Sequence, residues 1–269
     1  MASRKEQKEA ARARRLAEER ARAEKARRDR RLRMLGGLVI VAVALIAVVV
    51  AVSAGGGASG LQTGKAATAT SKQVDTLLAG IPQSGRTLGN PNAPVTMTYF
   101  GDLECPICRA FTLGQDGGGF PQFVANQVKA GKVKVVYKSF CTATCNGPGQ
   151  SVFTTQQAAA YAAGEQNKFW DFAELFYREQ GAEDTGYVNS HYLDGLAAQV
   201  QGLNISEWKS ASGDSSLASQ VGADESAGSA AGVTGTPSVF IKGPKGTEEP
   251  GAGGIPSYSQ LQQAIAQVT

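Results

Sequence analysis

A chain of 269 residues has room for one large domain or two small ones. Its net charge of +4 is unevenly spread: residues 1–33 carry 14 Lys/Arg against 6 Asp/Glu, and the remainder carries 13 against 17. The larger part is therefore acidic, which argues against a nucleic-acid partner, because phosphate binding needs a surplus of Lys/Arg on the surface that does it.

Residues 4–33 are rich in Ala, Arg, Glu and Lys, strong helix formers with no apolar stripe. They read as a solvated cytoplasmic segment, with contact between the Arg27–Arg33 cluster and anionic lipid headgroups as the sharper alternative. Met34–Ala54 follows without a single charged residue, and its 21 residues would span about 31 Å as a helix, the thickness of a bilayer's hydrocarbon core. No Lys or Arg comes after it until Lys65. The positive-inside rule then puts residues 1–33 in the cytoplasm and residues 55–269 outside, as a single-pass protein of the cell membrane. Val52-Ser53-Ala54 resembles a signal-peptidase site, and cleavage there would release the domain. An uncleaved anchor is the expected reading, because the apolar run is longer than a usual signal core and its leading segment is long. Arg30-Arg31 is only a faint twin-arginine match.

Residues 55–84 read as a linker with one short helix. Gly55–Ser71 is Gly/Ala/Thr-rich and suits a flexible spacer, and Ser71–Ile81 places Val74, Leu77 and Leu78 on one side of a helix. From residue 85 the patterns are denser. Val95–Phe100 alternates and predicts a strand. The run Gly101-Asp102-Leu103-Glu104-Cys105-Pro106-Ile107-Cys108 comes next, with a helix starting at Cys105 and Pro106 near its first position, where a missing N–H costs nothing. Gly117–Gly119 and Pro121 interrupt that helix, and Gln122–Ala130 resumes it. Lys132–Phe140 predicts a second strand. Helical patterns over Val152–Ala163, Lys168–Glu179 and Ser190–Val200 follow, and Phe169, Phe172 and Phe176 mark a core stripe. Ser206–Gly232, poor in bulky apolar residues, predicts short helices. Thr236–Ile241 is a strand opened by Pro237, a Gly-rich turn region runs to Gly254, and Tyr258–Val268 predicts a final helix.

The order strand, CxxC helix, strand, helices, proline-led strand, helix is that of an α/β thioredoxin fold with a helical insertion at about 150–232. Four stretches carry a closer resemblance: Leu88–Val95, Phe100–Cys108, Phe169-Trp170-Asp171-Phe172 with Leu175-Phe176, and Gly232–Phe240. Together they resemble the DsbA-like thiol–disulfide oxidoreductases of bacteria, over about residues 85–269 and in the right order. The resemblance implies substrates that are exported proteins with cysteines, and a membrane redox partner, quinone-linked, that reoxidises the enzyme. It calls for no cofactor and no metal.

The chemistry rests on Cys105 and Cys108. A helix start brings the two thiols within bonding reach and leaves unpaired N–H groups to stabilise a thiolate on Cys105, the accessible cysteine, with Cys108 one turn below. A substrate thiolate would attack Cys105 and Cys108 would leave. The alternative is an inert disulfide. The resemblance also implies a cis Pro237, with Thr236 offering its backbone to an extended substrate; a trans proline opening a strand is the alternative. Many oxidising members have His between the cysteines, and this chain has Ile107 there. Asp102 and Glu104 add negative charge that would raise the Cys105 pKa, so a mild oxidant is expected, between about −120 and −270 mV. Asp102 reads equally as a proton acceptor for Cys108 or as a strand-end turn. Cys141 and Cys145 read first as a structural disulfide, with a second redox pair or a four-cysteine zinc site as alternatives. Besides an oxidase, a reductase or isomerase and a non-catalytic binding module remain open.

Overall fold

The structure, a computed structural model, describes residues 60–142, 150–252 and 254–269. The basic segment 1–33, the span expected over Met34–Ala54, and Cys145 lie outside the described residues. Among those described, no helix is long and apolar enough to cross a membrane.

The elements begin with α1 (Gly64–Leu78), then a short hairpin of β1 (Gln83–Ser84) and β2 (Thr87–Leu88). The central strand β3 (Val95–Gly101) buries Val95, Met97 and Tyr99 and leaves Thr96 and Thr98 half-buried, the alternation of a pleated strand. After it come α2 (Pro106–Leu113) and α3 (Phe120–Phe123), which runs into a π-helical turn over Val124–Val128, and then β4 (Val133–Ser139). Five helices fill the interval before the next strand: α4 (Gln150–Glu165), α5 (Phe169–Arg178), α6 (Ser190–Ala197), α7 (Ile205–Ser212) and α8 (Ser215–Ala230). The chain closes with β5 (Ser238–Gly243), β6 (Gly246–Glu248) and α9 (Tyr258–Val268).

The six strands lie in the order β1-β2-β4-β3-β5-β6. β3 and β4 run parallel in register from Val95 against Val133 to Gly101 against Ser139. β5 runs antiparallel to β3, with Ser238 opposite Phe100. This register fixes the site: the end of β3, the end of β4 and the start of β5 lie side by side at one edge. The loops carrying Asp102–Cys105, Cys141–Thr142 and Thr236–Pro237 therefore converge. Behind them α5 buries every residue from Phe169 to Tyr177, packed against α2 on one side and α1 and α4 on others. Aromatic rings fill the space between, with Tyr99 meeting Phe111 edge-on at 5.2 Å and Phe120 stacked on Trp170 at 5.5 Å.

Several expectations need correction. The stretch read as a flexible spacer over Gly55–Ser71 is helical from Gly64, because tertiary contacts hold it. Ala67, Thr70 and Ser71 are buried beside Val74 and Leu78, and the Ser71 hydroxyl donates to the Gln199 carbonyl at 2.8 Å. Pro121 does not interrupt a helix; it sits in the first turn of α3, where proline is well suited. The break is made instead by Gly114, whose left-handed φ of 71° turns its N–H back to the carbonyls of Ala110 and Phe111 and ends α2. Ser206–Gly232 is not all short helices, since α8 alone has 16 residues. Its buried positions are Leu217, Val221, Asp224 and Gly228, two of them carrying no apolar signal. Gly228 lies so close to Phe140 that a Cβ there would fall 2.4 Å from the ring. The turn region after β5 contains β6, and β5 itself starts at Ser238, just past Pro237.

Candidate active site

The site starts where β3 runs out. The Asp102 carbonyl accepts the Cys105 N–H at 3.2 Å, and Asp102 Oδ1 accepts the Glu104 N–H at 3.0 Å, a side-chain turn of the kind aspartate favours. Asp102 Oδ1 also accepts from Gln156 Nε2 at 3.2 Å, and Oδ2 from the Thr142 N–H at 3.4 Å. Gln180 of the α5–α6 loop closes the turn from beneath, its Nε2 donating to the carbonyls of Leu103 at 2.7 Å and Cys105 at 3.2 Å.

Held this way, Cys105 is the N-cap of α2, with φ −68° and ψ 121°, and Pro106 occupies the first turn. The Cys105 sulfur accepts the Cys108 N–H at 3.5 Å, as a serine or aspartate N-cap does with oxygen. Cys105 and Cys108 are both free thiols, so this is the reduced dithiol. Cys108 is wholly buried; Cys105 is 5% exposed rather than freely accessible, with Thr236 set against its sulfur. Beneath Cys108 lies a layer of buried phenols. Tyr99 Oη approaches the Cys108 carbonyl at 3.5 Å, Thr112 Oγ1 at 3.1 Å and Tyr177 Oη at 3.4 Å, and Tyr177 Oη donates to the Asp102 carbonyl at 3.3 Å.

The Thr236–Pro237 bond is cis, and it sets Thr236 against the active helix, with the Cys105 thiol donating to the Thr236 carbonyl at 3.5 Å. A groove of about 420 Å³ runs along this loop, lined by Ile107, Thr234, Thr236, Pro237, Glu249 and Ile255. Ile107 is 45% exposed, the large apolar side chain most open to solvent among the described residues.

The two thiols differ sharply in acidity. Hydrogen bonds to the Cys105 sulfur from the Cys108 thiol, and then from Thr236 and the N–H groups of Cys108 and Ile107, outweigh burial and bring its pKa down to about 7. Burial, then the Cys105 sulfur beside it, pushes Cys108 well above the usual thiol range. The expected upward push on Cys105 from Asp102 and Glu104 is not what governs it. Glu104 is only 2% exposed, and burial together with Asp102 and Asp184 raises its own pKa to about 7, so about half of its charge is lost at neutrality.

Of the residues expected from the sequence, Asp102, Cys105, Pro106, Ile107, Cys108, Thr236 and Pro237 meet at this edge. Cys141 lies at the end of β4 and is disulfide-bonded; Cys145, its expected partner, is outside the described residues. His191 is exposed in α6, within the insertion. Thr142 and Gln180 were not singled out from the sequence. Thr142 had one signal, its place beside a cysteine just past a strand that neighbours the CxxC strand; Gln180 had none.

A model of the thioredoxin family matches residues 83–265. The chain is 26% identical over 154 residues to disulfide bond formation protein D of Bacillus subtilis, an alignment covering 57% of this chain and 66% of that protein. It is 23% identical over 181 residues to a probable disulfide bond formation protein D of Bacillus anthracis, covering 67% of this chain and 76% of that one. Among solved structures, oxidised BdbD of Bacillus subtilis matches with a TM-score of 0.56 at 23% identity, over 70% of this chain and 95% of that chain. DsbA of Chlamydia trachomatis matches with a TM-score of 0.55 at 16% identity, over 68% and 90%. At these identities the structural matches speak for the fold.

Proposed function

The chain belongs to the thioredoxin family, and from that premise we propose that this thiol–disulfide oxidoreductase works outside the cytoplasm as an oxidase of exported proteins. The observation that carries the reading is the unequal pair: Cys105 acidic at a helix N-cap, Cys108 buried and held protonated.

In the oxidised enzyme a substrate thiolate attacks Cys105 Sγ. A substrate–Cys105 disulfide forms, the Cys105–Cys108 bond breaks, and Cys108 leaves with the electron pair and takes up a proton. A second substrate thiolate then attacks the substrate sulfur of the mixed disulfide, and Cys105 departs as a thiolate. The substrate has lost two electrons and the enzyme holds them as a dithiol. The groups that lower the Cys105 pKa favour both departure and the reduced state, which is what makes the Cys105–Cys108 disulfide oxidising. With a pKa of about 7 rather than a far lower one, Cys105 fits a mild oxidant. The Thr236 backbone beside Cys105 suits strand-like pairing with an extended substrate segment, and Ile107 and the adjoining groove suit its side chains. The name of the Bacillus relatives, disulfide bond formation protein, points the same way.

The cellular setting follows from the sequence. Met34–Ala54 anchors the protein in the membrane with residues 1–33 in the cytoplasm, and a quinone-linked membrane partner takes the electrons from the dithiol. The Cys141–Cys145 pair is a structural bridge. Alkylation trapping of Cys105 in intact cells tests the direction: a mostly oxidised Cys105–Cys108 pair supports the oxidase, and a mostly reduced pair makes the protein a reductase or isomerase. A purified protein inactive in both insulin reduction and RNase refolding would instead be a binding module.

A further inference from the structure

Thr236 is the last link in a chain of polar contacts that begins on another loop. Its Oγ1 lies 2.6 Å from Thr142 Oγ1, so one hydroxyl must donate to the other. The Thr142 N–H donates to buried Asp102 Oδ2 at 3.4 Å, and the neighbouring Cys141 is disulfide-bonded, with its N–H donating to the Glu225 carboxylate. Thr142 is thus held from its own backbone, independently of Thr236. On the other side Thr236 meets the Cys105 sulfur through its carbonyl at 3.5 Å, and its side chain is among the groups that lower the pKa of both Cys105 and Cys108, of which only Cys105 ionises near neutrality.

A threonine hydroxyl has one proton. If Thr236 gives it to Thr142, none remains for sulfur; if Thr142 is the donor, the Thr236 proton is free to face Cys105 and is made a stronger donor by the bond it accepts. We propose that Thr142 is a positioning residue whose hydroxyl donates to Thr236 Oγ1 and so commits the Thr236 proton to the Cys105 thiolate. When Cys105 carries a proton its thiol donates to the Thr236 carbonyl, and the hydroxyl pair has no anion to serve. The loop after β4, anchored at Asp102 and at the Cys141 disulfide, thereby tunes the redox centre through Thr236. The inference rests on Cys105 being the reactive sulfur, and not on the direction in which the enzyme runs.

The test uses reduced, purified protein carrying Thr142→Val, Thr142→Ser, Thr236→Val, or both valines. Two quantities are read: the Cys105 pKa from thiolate absorbance, and the equilibrium with glutathione. Thr142→Val should raise the pKa by about half to one unit and, with the equilibrium read at about pH 9 where wild-type Cys105 is ionised, make the dithiol about threefold to tenfold harder to form, the upper figure corresponding to about 30 mV. Thr142→Ser should keep the wild-type values, and adding Thr142→Val to Thr236→Val should move neither quantity further. Should the valine variant fail to fold, Thr142→Ala is read in the same way. An unshifted Thr142→Val overturns the proposal, as do equal shifts in the serine and valine variants or a full Thr142→Val shift in the Thr236→Val background. A mostly reduced pair in cells would overturn the oxidase reading and leave this one standing; a wild-type Cys105 with no thiolate titration near neutrality would remove the ground from both.

Discussion

The acidity of Cys105 has a thermodynamic consequence that can be read without any substrate. Replacing Cys105 by Ser removes the thiolate and leaves the other buried titrating groups in place. In the folded protein the Cys105 pKa is about 7 against 9.0 for the free thiol. A group depressed in the folded state stabilises it fully above the unfolded pKa, and that stability is lost as pH falls through the folded one. Between pH 6 and pH 8, reduced wild type should gain about 1.3 kcal/mol over reduced Cys105→Ser, or roughly 3–5 °C in thermal midpoint. Glu104 and Glu174, whose buried carboxyls also titrate at about 7, work in the opposite sense but are common to both proteins and cancel. Cys108 stays protonated across this window. The same acidity sets reactivity. At pH 7 about half of Cys105 is thiolate against about 1% of an unperturbed thiol, a gain of about 50-fold that lower nucleophilicity cuts to about sixfold. Thermal unfolding of both reduced proteins across pH 6–8, with iodoacetamide rates over the same range, checks the argument. Parallel stability profiles together with an alkylation midpoint at 8.5 or above would refute it.

Cys108→Ala should accumulate mixed disulfides with substrates through Cys105 on non-reducing gels, because the buried resolving thiol is gone; trapping by Cys105→Ala alone would reverse the assignment. Glu104→Gln should relieve the cost of ionising a carboxyl that burial has raised from 4.5 to about 7. Wild type, compared with this variant, should therefore lose roughly 2 kcal/mol as pH rises from 5 to 8, measured by urea unfolding. Asp224, 3% exposed in α8, holds Arg86, Lys138 Nζ at 3.0 Å and Tyr161 Oη at 2.6 Å. Asp224→Ala takes the partner from two part-exposed cations beside β2 and β4 and from the buried Tyr161 hydroxyl, and should cost about 1–3 kcal/mol, seen as a fall of roughly 5 °C in thermal midpoint.

Much of the centre was legible along the chain. Val95–Phe100 and Lys132–Phe140 announce β3 and β4 because each alternates between a buried and a half-buried face, which is a local property of a strand. Tyr258–Val268 was delimited as helix α9, and Phe169, Phe172 and Phe176 as core, because a helix repeats its buried face every three or four residues. The Cys105-Pro106-Ile107-Cys108 run declares its chemistry because a dithiol, a helix start and a proline in the first turn are all encoded within eight residues. Pro237 came from the resemblance, not from spacing.

What tertiary structure alone decided is the environment of those residues. Ala67, Thr70 and Ser71 look like linker until α5 and the Gln199 carbonyl are laid against them. Helix α8 hides its buried face because Asp224 and Gly228 stand where apolar residues would signal it; a salt-bridge clamp and a close approach to Phe140 do the work of a hydrophobic stripe. The Cys105 pKa shifts opposite to the sequence expectation for the same reason. Sequence distance made Glu104 and Asp102 its nearest charges, whereas donors from Cys108 and from Thr236, 131 residues away, govern the sulfur. Thr142 and Gln180 escaped altogether. A sequence records which side chains a protein owns and how they repeat; hydrogen bonds and desolvation act over a few ångströms, and only the register of β4, β3 and β5 determines which of those side chains come that close.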